Sequence, residues 1–388
     1  MVARITFFPV GNGDMTLIET EDNKRILIDC RIRAGDDYPD VISMLTERLR
    51  KDEKGRPYVD VFVCSHPHDD HCGGISEHFY LGKPEDYADK SKKIFINEIW
   101  ASPIVFKRAN QTDHKLTDDA RALHAEIRRR IRLYQERQCI QGVGNQVLIL
   151  TEDEDGNLDN THQILCPRDS EISRINNKSS SVFRARVLGP APKSDIEEQE
   201  VALGLNESSV IMNYQITGDG QSIQFLTGGD AKVVCWDVLW EHLEADGHTH
   251  WLEYDLLQAP HHCSWRSLSH DSWKDKKAAN ETAEISEAAW NALSLAKDGA
   301  FIVSSSKPIH DDDKDPPPFA AMKEYRKILG SDKANFTCVA DHQKEGEETP
   351  LEFWITSDGL TRNPPKKLSL SGTGNNSVNL SDDGRGYA

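Results

Sequence analysis

Val59 to Cys64 (VDVFVC) reads as a strand covered on both faces, and it opens without a break into SHPHDDHCGG, Ser65 to Gly74. A buried strand that ends in three histidines and two aspartates restricts the fold, because those side chains need partners delivered by other strands ending at the same place. Pro67 and the Gly73-Gly74 pair predict a loop rather than a helix. In such a loop His66 and His68 can aim at one point and Asp70 and His71 at a neighbouring one, a layout that suits two metal ions. Imidazoles with a carboxylate favour Zn2+, Mn2+ or Fe2+, whereas Mg2+ would rely chiefly on oxygen. A closed structural zinc site is the competing reading, but such sites lean on cysteine, and Cys64 and Cys72 fall outside the alternation. A surface histidine cluster that binds nothing is the other.

The 388 residues suffice for one elaborated domain, and their formal charge of -18 disfavours sequence-independent binding of a polyanion by the whole surface. Any nucleic-acid contact must be local or metal-mediated. The eight cysteines are scattered, with no CxxC pair, as expected of reduced thiols. No window approaches the ~18 apolar residues a membrane helix needs, and MVARITFFPVGNGD lacks the marks of a signal peptide. The expected location is cytoplasmic, with no membrane contact.

Along the chain, Arg4–Phe8, Met15–Glu19 and Arg25–Asp29 predict an opening β-meander, and VISMLTERLR, Val41–Arg50, has apolar positions at helical spacing. Residues 79–154 read as a helical insertion whose clearest element is Asp118–Gln138, with Leu123, Ile127, Ile131 and Tyr134 on one face. Its arginines, Arg128, Arg129, Arg130 and Arg132, predict a solvated face paired with acids; gripping substrate phosphates is the alternative. Strands resume at Arg184–Leu188, Ser209–Gln215, Ser222–Leu226, Asp255–Gln258 and Ala300–Ser304, with a helix at Ala231–Leu243, and Phe336–Val339 and Leu351–Ile355 add two more. Two sets of strands followed by helices predict an α/β fold, two sheets packed face to face inside helices, within a single domain over 1–362. The tail, 363–388, is expected to be disordered.

HxHxDH followed by GG resembles the signature of the metallo-β-lactamase superfamily, and three further stretches follow in the family's order. ILIDC, Ile26–Cys30, resembles the strand whose aspartate, Asp29 here, supports the metal loop from behind. FLTGGDA, Phe225–Ala231, resembles the motif that delivers a metal-bridging carboxylate, which implies that role for Asp230. LLQAPHHCSW resembles the strand and turn ending in HHGS, which implies roles for His261, His262 and Ser264, with Cys263 in place of the glycine. Either imidazole of the pair could ligate while its neighbour faces substrate. The superfamily implies an αββα sandwich.

Together with NESSVIMNYQ, Asn206–Gln215, and AFIVSSSKPIH, Ala300–His310, the HHCS turn is similar to the soluble metallohydrolase domain of the DNA-uptake competence channel ComEC. That likeness implies substrate contacts from Asn206, Ser209, Ser264 and His310. The third histidine that many superfamily members place on the first metal has no counterpart here. The resemblance therefore implies two divalent ions, Zn2+ or Mn2+, held by His66, His68, Asp70, His71, Asp230 and one or both of His261 and His262. A hydroxide shared by the two ions would attack, with Asp70 and His262 the catalytic side chains. The expected function is a phosphodiesterase or nuclease acting on nucleic acid or nucleotides. Hydrolysis of a small carbonyl substrate (lactone, thioester or β-lactam) is the alternative, and an inactive binding module a third. No protein partner is identified.

Overall fold

Residues that alternate between two apolar surroundings build this molecule. In the computed structural model, which describes residues 2–88, 90–109, 115–151, 161–194, 197–204, 208–312, 315–342 and 348–364, two sheets lie face to face. The first takes β1 (Arg4–Phe7), β2 (Thr16–Glu19), β3 (Arg25–Ile28), β4 (Pro57–Cys64), β5 (Ile94–Ala101) and β6 (Gln146–Ile149). The second takes β7 (Phe183–Val187), β8 (Met212–Gly218), β9 (Gln221–Thr227), β10 (Tyr254–Gln258), β11 (Ala296–Ser304) and β12 (Phe336–Cys338). The chain then returns to the first sheet with β13 (Leu351–Thr356) and β14 (Gly359–Thr361), giving the order β14-β13-β1-β2-β3-β4-β5, with β6 beyond β5.

Both sheets have the same internal plan. β1, β2 and β3 pair antiparallel, and β3, β4, β5 and β6 pair parallel. β7, β8 and β9 likewise pair antiparallel before the parallel run of β9, β10, β11 and β12. The carboxyl ends of β3, β4, β9 and β10 then all open at one rim, where ligands bind in open α/β sheets.

Period-two alternation divides the second sheet between two cores. Phe225, Leu256 and Val303 face the first sheet and join its core, while Leu226, Leu257 and Ile302 face the other way. Phe7 meets Phe225 edge-on at 5.8 Å across the interface, and Trp100 tilts against Phe183 at 6.2 Å. Outside, α1 (Val41–Thr46) and α2 (Asp118–Arg137) pack with the first core, and α3 (Val233–Ala245), α4 (Glu287–Leu293) and α5 (Phe319–Ile328) with the second. This is the α/β sandwich of two packed sheets flanked by helices that the sequence predicts.

Two stretches differ from expectation. Val41–Arg50 is helical only to Thr46, and Arg50–Lys51 pairs with β4 as a short strand. Residues 79–154, read as a helical insertion, also contribute β5, β6 and the short Phe79–Tyr80 strand to the first sheet. IFINEIWA is buried along its whole length, a central-strand pattern that its position beside a long helix obscures. The tail from 365 lies outside the described residues. Among the described residues no helix is long and apolar enough to cross a membrane.

Candidate metal centre

β4 ends at Cys64, His68 is extended, and Asp69–Cys72 then make one helical turn, where a loop was expected. The His71 and Cys72 N–H groups both donate to the His68 carbonyl, at 3.0 Å each, and this short turn swings Asp70 and His71 away from His66 and His68. Beyond it, Cys72 and Gly73 bridge to Cys30 and Arg31, the extension of β3. The Asp119 carboxylate in the first turn of α2 accepts from the Gly74 N–H at 2.7 Å and the Ser76 N–H at 2.9 Å. The histidine loop is therefore clamped from two sides.

Asp29, at the end of β3, is fully buried with φ of 56°, and its carboxylate accepts from the Ser65 N–H at 2.7 Å and from the Ser65 hydroxyl. It also receives the His71 Nδ1–H at 2.9 Å, since a carboxylate can only accept. His66 Nδ1–H donates to the Ser208 carbonyl at 3.0 Å by the same reasoning. Each ring, when neutral, thus keeps Nε2 as its lone-pair nitrogen. His66 Nε2 is buried and has no hydrogen-bond partner. Ser208 is held in turn by the buried Arg108 guanidinium, which donates to its Oγ at 3.0 Å.

Asp230 closes the centre from the second sheet. It follows β9 across Gly228-Gly229, and Gly229 has φ of +49° with space so tight that a Cβ would stand 2.5 Å from Ser65 Oγ. The Asp230 N–H donates to Ser209 Oγ at 3.1 Å. Its Oδ1 lies 2.8 Å from His71 Nε2 and 3.3 Å from His262 Nε2, and His262 Nε2 lies 3.4 Å from Asp70 Oδ2. The donor atoms of Asp70, His71, Asp230 and His262 fall within 4.8 Å of one another, and those of His66, His68 and Asp230 do likewise. Three distant stretches of chain meet in two adjacent groups that share Asp230.

The paired histidines after β10 separate cleanly. His262 is buried, stacks on His71 at 5.3 Å between ring centres, and joins the cluster, whereas His261 Nε2 stays 4.0 Å from Asp230 and its ring lines the basin outside. The turn that divides them is strained: His261, His262 and Cys263 have φ of 51°, 55° and 66°. Left-handed backbone costs an L-residue about 1–2 kcal/mol. That strain sits where two rings must be aimed in different directions.

Four carboxylates crowd this buried volume: Asp14, Asp29, Asp70 and Asp230. Burial would raise the Asp230 pKa, but His71, His261 and His262 hold it well below the usual carboxylate range. Burial lowers the His66 ring to about 3, keeping it neutral, with His68 adding to the effect. Burial would also lower His71 and His262, but Asp230 and the other neighbouring acids raise both, His262 to about 10. The donor chemistry fits divalent cations. His66 presents a neutral ring nitrogen of fixed tautomer, and the buried excess of negative charge that draws protons onto His71 and His262 is what a divalent cation would compensate in their place.

Of the residues expected to contact substrate, Ser264 lines the basin and its Oγ donates to Asp315 at 2.7 Å. Ser209 is buried behind Asp230, and His310 is exposed in a neighbouring groove. Asn206 lies outside the described residues. The Ser304–Ser306 hydroxyls are all buried; Ser305 Oγ, for example, donates to the Gly13 carbonyl at 2.6 Å. Asp14 is the residue that sequence reasoning missed: buried, 3.3 Å from His262 Nδ1 and 3.8 Å from His71 Nδ1. In GNGD it looks like turn chemistry, and only the conversion of that turn into a wall of the centre gives it a second role.

No protein-family model matches the chain, and no curated protein matches it. Among solved structures it is similar to the metallo-β-lactamase SMB-1 in complex with mercaptoacetic acid, with TM-score 0.31 and 11% identity over 84% of this chain and 96% of that one. It is also similar to the Rm3 metallo-β-lactamase, with TM-score 0.30 and 12% identity over 75% and 90%. A third is the metallo-β-lactamase GOB-18 from Elizabethkingia meningoseptica, with TM-score 0.27 and 12% identity over 65% and 74%.

Proposed function

We propose that this chain is a metal-dependent hydrolase of phosphodiesters in nucleic acid or nucleotides. The supporting observation is the convergence of His66, His68, Asp70, His71 and His262 on one carboxylate, Asp230, with Nε2 of His71 and His262 close to its Oδ1. Divalent ions held there, Zn2+ or Mn2+, would polarise a phosphoryl oxygen and bring a water's pKa towards neutrality.

The protein's own groups divide the remaining work. Asp230 joins the two halves of the centre, and Asp29 and the Ser208 carbonyl keep His71 and His66 in the required tautomer. Asp70 is the ligand-type carboxylate nearest solvent, with its side chain 31% exposed. Burial opposes its ionisation, but His262 and His71 keep its pKa below the ordinary range, so it is ionised at neutral pH, as a carboxylate that binds a cation must be, and it lines the basin. His261, on the basin wall beside Ser264, faces the substrate. The motif resemblance to ComEC-like metallohydrolases favours phosphorus over carbonyl carbon as the electrophile.

Turnover of bis-p-nitrophenyl phosphate with added Zn2+ or Mn2+, set against nitrocefin and a thioester, tests the reading. We expect diester hydrolysis and a loss of at least ~100-fold in kcat/KM for Asp230→Asn, more than remote supports of metal ligands usually cost. Hydrolysis of nitrocefin or the thioester alone would transfer the centre to carbonyl chemistry. Full diesterase rate in the Asp230→Asn variant would remove it from the reaction altogether.

A further inference from the structure

Beside the basin runs a much larger groove, of about 920 Å3 against about 310 Å3 for the basin itself. Arg266, Asp315 and Pro316 line both, so the two form one continuous depression leading away from Asp70 and Asp230. Three cations, Arg266, Lys274 and Lys307, stand exposed along the groove with no carboxylate salt bridge among the described residues, and His310 is beside them. Asp312 and Asp315 also reach the groove, but the Asp315 carboxylate is occupied by the Ser264 hydroxyl and, at 3.3 Å, the Trp265 N–H. Trp273, half-buried and propped on Trp265 at 5.0 Å between ring centres, offers an aromatic surface within reach of the lysines.

We propose that this groove binds a single strand of nucleic acid and feeds one of its phosphodiesters to the metal centre, an inference that rests on the hydrolase reading above. Lys274, Lys307 and Arg266 meet successive phosphates, and Trp273 stacks on a base, the pairing of basic track and aromatic platform that single strands require. A mononucleotide or small carbonyl compound would be accommodated by the basin alone. Among the described lining residues three cations outnumber two carboxylates, Asp312 and Asp315, which gives a polyanion a local foothold on a chain of charge -18.

Fluorescence anisotropy of the full chain, supplied with Mn2+, with labelled phosphorothioate strands of about twelve nucleotides measures binding without cleavage. Lys274→Gln/Lys307→Gln is expected to weaken binding about tenfold or more and to flatten the dependence of log affinity on log salt by about 1.4. Lys54→Gln/Lys178→Gln makes the same charge change at exposed positions elsewhere and should stay within about twofold. Lys274→Arg/Lys307→Arg should restore affinity. DNA and RNA strands distinguish the sugar, and binding of either supports the groove. Unchanged affinity in the Gln pair, equal loss in both double variants, or binding of neither strand would overturn the proposal. Groove-dependent binding without any turnover of bis-p-nitrophenyl phosphate would instead sink the hydrolase reading while leaving the groove in place.

Discussion

At the scale of single residues, the centre depends on backbone conformations as much as on ligands. Gly229 is the sharpest case, because its positive φ excludes most side chains and a methyl group would collide with the hydroxyl that steadies Asp29. Gly229→Ala should lose about 2 kcal/mol or more of stability, read as a lower urea midpoint, along with metal affinity; a change under about 0.5 kcal/mol would mean the turn is not constrained. Glu98 carries a different cost. Burial raises its carboxyl to about 7, although the Asn176 N–H at 2.7 Å favours the ion. The folded state therefore holds a proton that the unfolded chain releases near its ordinary pKa, and stability falls as pH rises from about 4.5 to 7. The loss is roughly 3 kcal/mol and then levels off. Glu98→Gln should flatten that part of the pH–stability curve, and an unchanged slope would place the proton elsewhere.

Helix α2 shows why elements matter more than composition. Its four arginines look alike in sequence, yet Arg130 is buried and donates to the Ile96, Asn97 and Gln146 carbonyls, tying the helix to β5 and β6, while Arg128 and Arg132 are exposed. Arg129 pairs with Glu126. The spacing accounts for the difference: 123, 127, 130 and 134 also follow a three-and-four spacing, so position 130 falls beside the apolar stripe of 123, 127, 131 and 134 on the buried side. Arg130→Ala should cost about 2 kcal/mol or more by leaving those carbonyls unsatisfied, and Arg132→Ala about 0.5 kcal/mol at most, both measured by chemical unfolding. Equal effects would contradict the anchoring role. The helix reaches the centre too, since Asp119 holds the Gly74 and Ser76 N–H groups. In the sequence Asp119 is no more than a favourable charge at a helix start. The histidine motif and its partners were legible because ligand chemistry needs particular residue types, whereas Asp14, Asp119 and Arg108 act through contacts that only the tertiary fold creates.

For the whole molecule, the decisive fact is that the centre straddles the two sheets. His66, His68, Asp70 and His71 extend from β4 in the first, and Asp230 and His262 from β9 and β10 in the second. Cations bound there would tie halves that otherwise meet through apolar packing, such as Phe7 on Phe225, and would add their binding free energy to folding. With free ion at 100 times its Kd, one site contributes about 2.7 kcal/mol. Unfolding entropy of about 2.1 cal/mol/K per residue over a chain of this length makes that a rise in Tm of about 3 °C. Thermal unfolding with and without a chelator should show it, and Asp230→Asn should remove most of the difference because it weakens both halves of the centre at once. An ion that bound only within the loop after β4 would stabilise the two proteins equally. Equal chelator sensitivity would therefore place the metal on one sheet, and would sink the idea that Asp230 bridges.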